Sequence, residues 1–150
     1  MLLVDTELRS SPIHGIGVFS RQFIPAGTVV WTFTPGFDLE IDPPEVERLA
    51  PPARDQFLKY SYLDVLTGKY VLCFDDGRFF NHSDQPNVID GVTPETAQSS
   101  VAVKDIAPGE ELTCDYRTFD ALSRNGLDEV ETLVLSPTSA EELAGRTRGP

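Results

Sequence analysis

The chain has 150 residues, a length that fits one compact domain, and 40% of them are hydrophobic, enough to fill a core. Lysine and arginine number 12 and aspartate and glutamate 24, so the net charge is −12, which opposes nucleic-acid binding because no basic run offsets it. The negative charge suits a cationic partner such as a lysine-rich tail. A negative charge that serves only to keep the protein soluble would explain the composition equally well.

No apolar run approaches the ~20 residues that cross a membrane. The apolar start, Met1 to Leu8, lacks the basic region and the length of a signal peptide. We therefore expect an intracellular protein that binds neither nucleic acid nor a membrane.

Short strands joined by turns are predicted for residues 1–33, where strand-forming runs such as Val29–Phe33 alternate with Pro and Gly turns. Residues 34–58 change character, because several prolines stand among acidic residues. We interpret this region as an insertion, with a short helix at Pro44–Leu49 and a further helical turn at Arg54–Leu58.

Strands return after the insertion. Tyr60–Val65 and Tyr70–Phe74 flank a turn at Gly68 and predict a hairpin, and Ser99–Val103 predicts another strand. A mostly β domain is therefore expected over residues 1–120. Residues 121–150 are expected to form a partly helical C-terminal flank with a frayed end.

Three segments hold polar and glycine residues in unusual combinations. They are Gly15-Ile16-Gly17, the block Arg78-Phe79-Phe80-Asn81-His82-Ser83 followed by Pro86-Asn87, and Glu111-Leu112-Thr113-Cys114-Asp115-Tyr116. A Gly-x-Gly alone is weak, since any turn can produce it, whereas the block at 78–87 is highly specific. In this order and spacing the segments resemble the signatures of the SET-domain protein lysine methyltransferases, over roughly residues 5–120.

The resemblance implies a fold and an activity. The fold is the β-clip type: several small sheets, a short helical insertion and a C-terminal pseudoknot in which 111–116 threads past 78–87, an arrangement rare among proteins. The activity is transfer of a methyl group from S-adenosylmethionine to the side-chain amine of a lysine in a basic protein or peptide.

That chemistry needs a neutral amine, because an ammonium has no lone pair and unperturbed lysine titrates near ~10.4. A narrow apolar channel lowers this value by desolvation, and the sulfonium charge acts in the same direction. An acidic protein with aromatic residues at the site would attract the lysine and then remove its water.

The resemblance also assigns the site. Tyr116 corresponds to the catalytic tyrosine that positions the amine. Asn81 and His82 would hold the amino-acid and adenine ends of the cofactor. The glycines would let the backbone approach it closely. The loop that provides these contacts comprises His14, Gly15, Ile16 and Gly17.

A second active-site tyrosine is expected at Tyr60 or Tyr62. Both would lie on one face of the predicted strand, and Tyr62 is slightly favoured.

Four further motif residues are predicted to be structural. Arg78 would pair a carboxylate, with Asp115 and Glu111 as candidates, and Asn87 would cap a turn.

Two positions depart from the family. Asp84 stands where many nuclear members carry a zinc-binding cysteine, and no cysteine follows Tyr116. Another segment must therefore close the substrate channel. The candidate is Phe119 to Leu135, with Phe119 as its aromatic wall.

Cys114 stands where many members carry Phe or Tyr. Because cysteine is smaller, the pocket is predicted to allow di- or trimethylation unless Tyr60 or Tyr62 fills the space.

No metal site is predicted, because the histidines and cysteines match no zinc spacing. They are His14, Cys73, His82 and Cys114.

Other interpretations stay open at this point. A non-catalytic SET-like module could bind a basic peptide, and an active enzyme could modify a target other than a histone, including itself. A small β protein of unrelated function would require all three motifs to be coincidence. A monomer and a homodimer are both compatible with the sequence.

Overall fold

The computed structural model describes residues 1–90 and 98–124, and strands dominate these parts of the chain. The strands are β1 (Thr6–Ser10), β2 (Ile16–Ser20), β3 (Val29–Thr32), β4 (Leu39–Ile41), β5 (Ser61–Leu63), β6 (Tyr70–Leu72), β7 (Asn81–His82), β8 (Val88–Asp90), β9 (Ser99–Ala102) and β10 (Glu111–Cys114). The helices are α1 (Pro43–Glu47), α2 (Pro51–Tyr60) and α3 (Ala121–Arg124), with 3₁₀ helices at Asp76–Phe79 and Tyr116–Thr118. The predicted class, mostly β in several small sheets, is confirmed.

The largest sheet brings the sequence motifs together. Its strand order is β1-β2-β10-β7, and β10 lies antiparallel to β2 but parallel to β7. The parallel pairing places Thr113 beside Asn81 and Cys114 beside His82. The second and third motifs therefore lie side by side, while the threading of a pseudoknot stays a prediction.

Asn87 cross-links the same two segments. Its side-chain amide donates to the Glu111 carbonyl at 2.7 Å and to Glu110 Oε1 at 3.2 Å, and its oxygen accepts the Thr113 N–H at 2.8 Å. The prediction that Asn87 caps a turn is wrong, because its bonds satisfy backbone groups of the distant β10 that β7 leaves unpaired.

Two three-stranded sheets complete the fold, in the orders β3-β9-β8 and β4-β6-β5. The predicted hairpin is present as the antiparallel pair of β5 and β6, with Gly68 at a φ of 67° in its turn. β4 comes from the predicted insertion, so this region contributes a strand as well as helices. The domain limits, 1–120 with an insertion at 34–58, stay predictions.

The second helix is longer than the predicted turn at Arg54–Leu58. α2 begins with two prolines in its first turn and continues to Tyr60, and the Ser61 N–H still donates to the Phe57 carbonyl. The prediction that Tyr60 and Tyr62 share a strand face is therefore wrong. Ten residues containing good helix formers extend the helix to Tyr60, and the strand starts one residue later.

The core forms where the sheets meet, around side chains with no exposed surface. These are Val18, Ile24, Val30, Val88, Ile106 and Leu112. Tyr62, Tyr116 and Phe119 are partly buried and pack against this core from its edge. No helix in residues 1–90 or 98–124 is long and apolar enough to span a membrane. Of the predicted C-terminal flank, 125–150 lies outside the described residues.

Candidate active site

Asn81 fastens the three motifs to one another. Its side-chain amide lies within hydrogen-bond distance of the His14 carbonyl (3.1 Å), the Ile16 carbonyl (3.2 Å) and Glu111 Oε1 (2.8 Å). The Ser11 hydroxyl donates to the other Glu111 oxygen at 2.9 Å. The amide protons of Asn81 are thus taken up by the protein, so this side chain can offer a ligand its oxygen as an acceptor but no proton.

The two glycines of the loop 14–17, here called the glycine loop, are needed for different reasons. Gly15 has a φ of 50°, a conformation that other residues adopt at a cost. A Cβ on Gly17 would lie 2.1 Å from Glu111 Oε1, so this glycine is required for packing against the third motif. Beside the loop, Ile13 and Ile16 are each 50% exposed, which leaves an apolar surface next to exposed backbone.

His82 connects this loop region to Tyr116. The Tyr116 N–H donates to His82 Nδ1 at 3.3 Å, and the two ring centroids lie 5.4 Å apart. The same imidazole lies 3.5 Å from Asp84 through Nε2 and 3.7 Å from Asp115 through Nδ1.

An ion-pair cluster surrounds Asp84, the residue expected to stand in place of a zinc-binding cysteine. The Arg117 guanidinium lies 2.8 Å from Asp84 and 2.8 Å from Asp115, so it joins the second motif to the residues after Tyr116. The hydrogen bond from Arg117 holds the pKa of Asp115 below its usual value. Glu111 binds Asn81 and Asp115 binds Arg117, so the prediction that Arg78 pairs with either carboxylate is wrong.

The Tyr116 hydroxyl donates to the carbonyl of Phe80. Burial, together with the charge of Asp120, raises the pKa of this phenol well above its usual value, so it stays protonated at neutral pH. With its proton directed at a carbonyl, the oxygen can only accept a further hydrogen bond. Tyr116 is thus arranged to orient a donor such as an amine.

A pocket of about 140 Å³ opens beside Tyr116. Phe119 packs against both neighbouring tyrosines, with ring centroids 4.8 Å from Tyr62 and 5.9 Å from Tyr116. Five of the residues predicted to form the site line this pocket: Tyr60, Tyr62, Cys114, Tyr116 and Phe119. The other predicted residues, His14 to Gly17 with Asn81 and His82, form a separate cluster that reaches the pocket through the contact of His82 with Tyr116.

Comparison with known proteins identifies this arrangement. The family model of the SET domain matches residues 15–117. The chain belongs to the SET-domain family. Its members are typically protein lysine methyltransferases.

Solved structures support the fold of this SET domain. A Plasmodium falciparum crystal structure, of a protein described provisionally as a histone methyltransferase, is similar with a TM-score of 0.53 and 19% identity. The similarity covers 77% of this chain and 95% of the other, and at this identity it shows the fold alone. No curated protein sequence matches the chain.

Cations also line the pocket of this SET domain. The Arg78 guanidinium lies over the rings of Tyr60 (5.7 Å) and Phe79 (5.3 Å), and the Lys59 ammonium lies 5.2 Å from the Tyr60 centroid. Within the described residues Arg78 has no ion pair, so its charge is available to a ligand. Tyr60 belongs to a helix, but it still lines the pocket, and its ring contacts both of these cationic side chains.

Among the pocket residues that the sequence did not assign to the site, four contribute to its chemistry: Trp31, Ser61, Cys73 and Asp90. Trp31 Nε1 and Ser61 Oγ are buried and have no hydrogen-bond partner within the described parts of the chain. Buried polar groups without partners are rare and destabilising, so these two atoms indicate a place for a polar ligand. None of the four belongs to a motif, and only the apolar setting of Asp90 after Val88 and Ile89 could have drawn attention to it.

Among residues 1–90 and 98–124, no group of three or more His, Cys, Asp or Glu side chains is placed to hold a metal ion.

Proposed function

We propose that this SET domain transfers methyl groups to the side-chain amine of a lysine in a basic protein, with S-adenosylmethionine as methyl donor. The observation that carries the proposal is the fixed Tyr116 phenol, whose hydrogen points at the Phe80 carbonyl while its oxygen lies beside an aromatic pocket. Family membership supports the same reaction class.

The residues present fit the cofactor. The unpartnered Trp31 Nε1 and the cations Lys59 and Arg78 suit an anionic acceptor such as the carboxylate of its methionine end. The half-exposed Ile13 and Ile16 suit the adenosine end beside the glycine loop. When bound, S-adenosylmethionine supplies the activated methyl group.

The chain itself orients and desolvates the amine. The Tyr116 oxygen accepts an N–H of the amine, and this directs the nitrogen lone pair away from the phenol. Tyr62 and Phe119 surround the amine with aromatic carbon, and such desolvation lowers the pKa of a lysine, which raises the neutral fraction. Tyr116 is not the base, because its own phenol is protonated at neutral pH.

The basic substrate is proposed from the charge of the neighbouring surface. A second cavity of about 560 Å³ shares Trp31, Tyr62, Asp90 and Phe119 with the pocket. Its wall also contains Glu40 and Asp64. A lysine that enters from this side is attracted by carboxylates before it meets the aromatic rings.

The test is transfer of a labelled methyl group to a panel of basic proteins by the native chain and by Tyr116→Phe. We expect a loss of at least ~100-fold in kcat for the variant, the scale of a misplaced reacting group. Tyr70→Phe is the matched control, because it removes a phenol hydroxyl that lies outside the pocket.

Equal transfer by the native chain and Tyr116→Phe would remove Tyr116 from the mechanism. Calorimetry distinguishes the non-catalytic alternative: a peptide-binding module would show no heat of binding with millimolar S-adenosylmethionine, whereas the enzyme would.

A further inference from the structure

Asp90 is a carboxylate at the junction of two cavities. It is the last residue of β8, and it lines both the pocket beside Tyr116 and the larger acidic cavity. Among the described residues no other acidic side chain lines both. A lysine side chain that passes from the outer cavity to the Tyr116 oxygen would meet Asp90 among the residues that both cavities share.

Within the described parts of the chain, the hydrogen bonds to the Asp90 side chain come from two hydroxyl groups. Ser100 donates to Oδ1 at 3.2 Å, and the Thr118 hydroxyl lies 3.3 Å from Oδ2 but is closer to the Asp115 carbonyl, at 2.7 Å. No lysine, arginine or histidine of the described residues lies within salt-bridge distance. A partly buried carboxylate without a cation is costly unless a ligand supplies one.

Of the other acidic residues of the two cavities, Glu40 is exposed to solvent, and Asp120 and Asp64 have structural partners. Asp120 accepts hydrogen bonds from the N–H groups of Leu63 and Leu122 and from the Ser123 hydroxyl. Asp64 accepts the N–H groups of Leu66 and Thr67. Asp90, in contrast, accepts no backbone N–H of residues 1–90 or 98–124, so these parts of the fold give no comparable reason for its charge.

We propose that Asp90 binds the ammonium group of the incoming target lysine and so selects a charged amine for the Tyr116 pocket. This inference rests on the proposed function and names the residue that recognises its substrate. Because an ion pair favours the ammonium over the neutral amine, Asp90 acts on capture and not on the transfer step.

The charge of Asp90 changes near neutral pH. Burial raises its pKa to about 6, the hydrogen bonds from Ser100 and Thr118 oppose this effect, and the charge of Asp64 adds to it. Tyr62 and Cys114 also face this region, but burial raises the pKa of each, so both stay neutral. Asp90 is therefore ionised at pH 7.5 and mostly protonated at pH 5, where it would no longer hold an ammonium.

The kinetic test compares Asp90→Asn with Asp55→Asn on whichever basic protein the native chain methylates. Asp55→Asn removes the same charge at an exposed position outside both cavities. We expect Asp90→Asn to raise KM at least ~10-fold without lowering kcat, the scale of one lost charge-assisted bond, and Asp55→Asn to change KM less than ~3-fold. The native kcat/KM should fall as pH drops through about 6, and this step should be absent from Asp90→Asn.

A second measurement needs no turnover. In carboxyl-labelled native protein, the Asp90 signal is identified by its loss in Asp90→Asn and is followed against pH with n-butylammonium chloride or with n-butanol. We expect the ammonium, and not the alcohol, to shift the Asp90 titration to lower pH. An unshifted titration, or an unchanged KM in Asp90→Asn, would overturn this inference, whereas absence of methyl transfer by the native chain would contradict the proposed function instead.

Discussion

Cys114 forms part of the pocket wall two residues before Tyr116. Its thiol is buried, and burial, with the charges of Asp90 and Asp115, raises its pKa well above the usual value. The side chain therefore acts as a small neutral group. A phenylalanine or tyrosine at this position, as in many SET domains, would occupy space that stays open here, although Tyr62 lines the same pocket and limits that space.

The product of the native chain is accordingly predicted to be di- or trimethyl-lysine. Cys114→Phe should reduce the number of methyl groups added, because the larger ring would exclude a methylated amine. Cys114→Val, of similar size to cysteine, should keep the native product distribution. Mass spectrometry of the substrate decides, and a native product that stops at monomethyl-lysine would contradict the prediction.

Asp90 is also predicted to reduce stability at neutral pH. Its folded pKa of about 6 is above the ordinary value for aspartate, so its ionised form is less favourable in the folded chain than in the unfolded chain. The destabilisation is present above pH 6 and is relieved as pH falls toward 4, and a shift of this size corresponds to about 2 to 3 kcal/mol.

Asp90→Asn should therefore increase the free energy of unfolding at pH 8 by up to that amount, and by only about 1 kcal/mol at pH 4.5. Denaturant unfolding at the two pH values measures it. A variant less stable than the native chain at pH 8 would show that the carboxylate is required structurally.

At the level of elements, the junction of β7 and β10 is short. Only Thr113 with Asn81 and Cys114 with His82 are paired in it, so side chains must supply most of the connection between these segments. Asn87 supplies part of this connection by its hydrogen bond to the backbone of β10. Asn81 supplies another part by its hydrogen bond to the Glu111 side chain.

Asn87→Ala should lower the free energy of unfolding by about 2 to 4 kcal/mol, because the buried Thr113 N–H and the Glu111 carbonyl would lose their partner. Gln85→Ala, at an exposed position of the same loop, should stay within about 0.5 kcal/mol. Denaturant titrations give both values, and equal stability of the two variants would mean that β7 and β10 hold together without Asn87.

The elements differ in how far sequence could predict them. The hairpin of β5 and β6 and the helix α1 follow from local turn and proline signals, and the motif segments follow from the family resemblance. The place of Tyr60 in a helix could not be deduced from the sequence. The residues from Tyr60 to Val65 are typical of a strand, yet Tyr60 is the last residue of the ten-residue helix α2. Only the pairing of β5 with β6 fixes the residue at which the strand begins.

Within the site, the residues that belong to motifs could be predicted, while those placed by long-range packing could not. Trp31 appeared in the sequence only as a strand former, and its unpartnered Nε1 is evident only once the Gly77 backbone lies against it. Asn87 was recognised as structural, yet the acceptors and donors it meets lie more than 20 residues away.

At the scale of the whole molecule, the net charge of −12 can act on a basic substrate over a distance. Such attraction is screened within about 10 Å at 0.1 M salt, so it depends on ionic strength. The acidic cavity beside the pocket directs part of this field to the place where a lysine would enter.

We therefore expect KM for a basic protein to rise several-fold as salt increases from ~50 to ~300 mM, with kcat nearly constant. Steady-state rates across a salt series measure the effect, and calorimetric affinity for S-adenosylmethionine over the same series is the control. A KM that does not depend on salt would indicate that the acidity serves solubility alone.

The hydrogen bond from the Tyr116 hydroxyl to the Phe80 carbonyl has a consequence for mutational drift. A carbonyl is present whatever amino acid occupies position 80, so no substitution there deletes the acceptor. Comparison of sequences would show no covariation between positions 80 and 116 from this bond. Random mutagenesis should therefore find the phenol orientation vulnerable mainly to changes that move the backbone, such as proline insertions near β7.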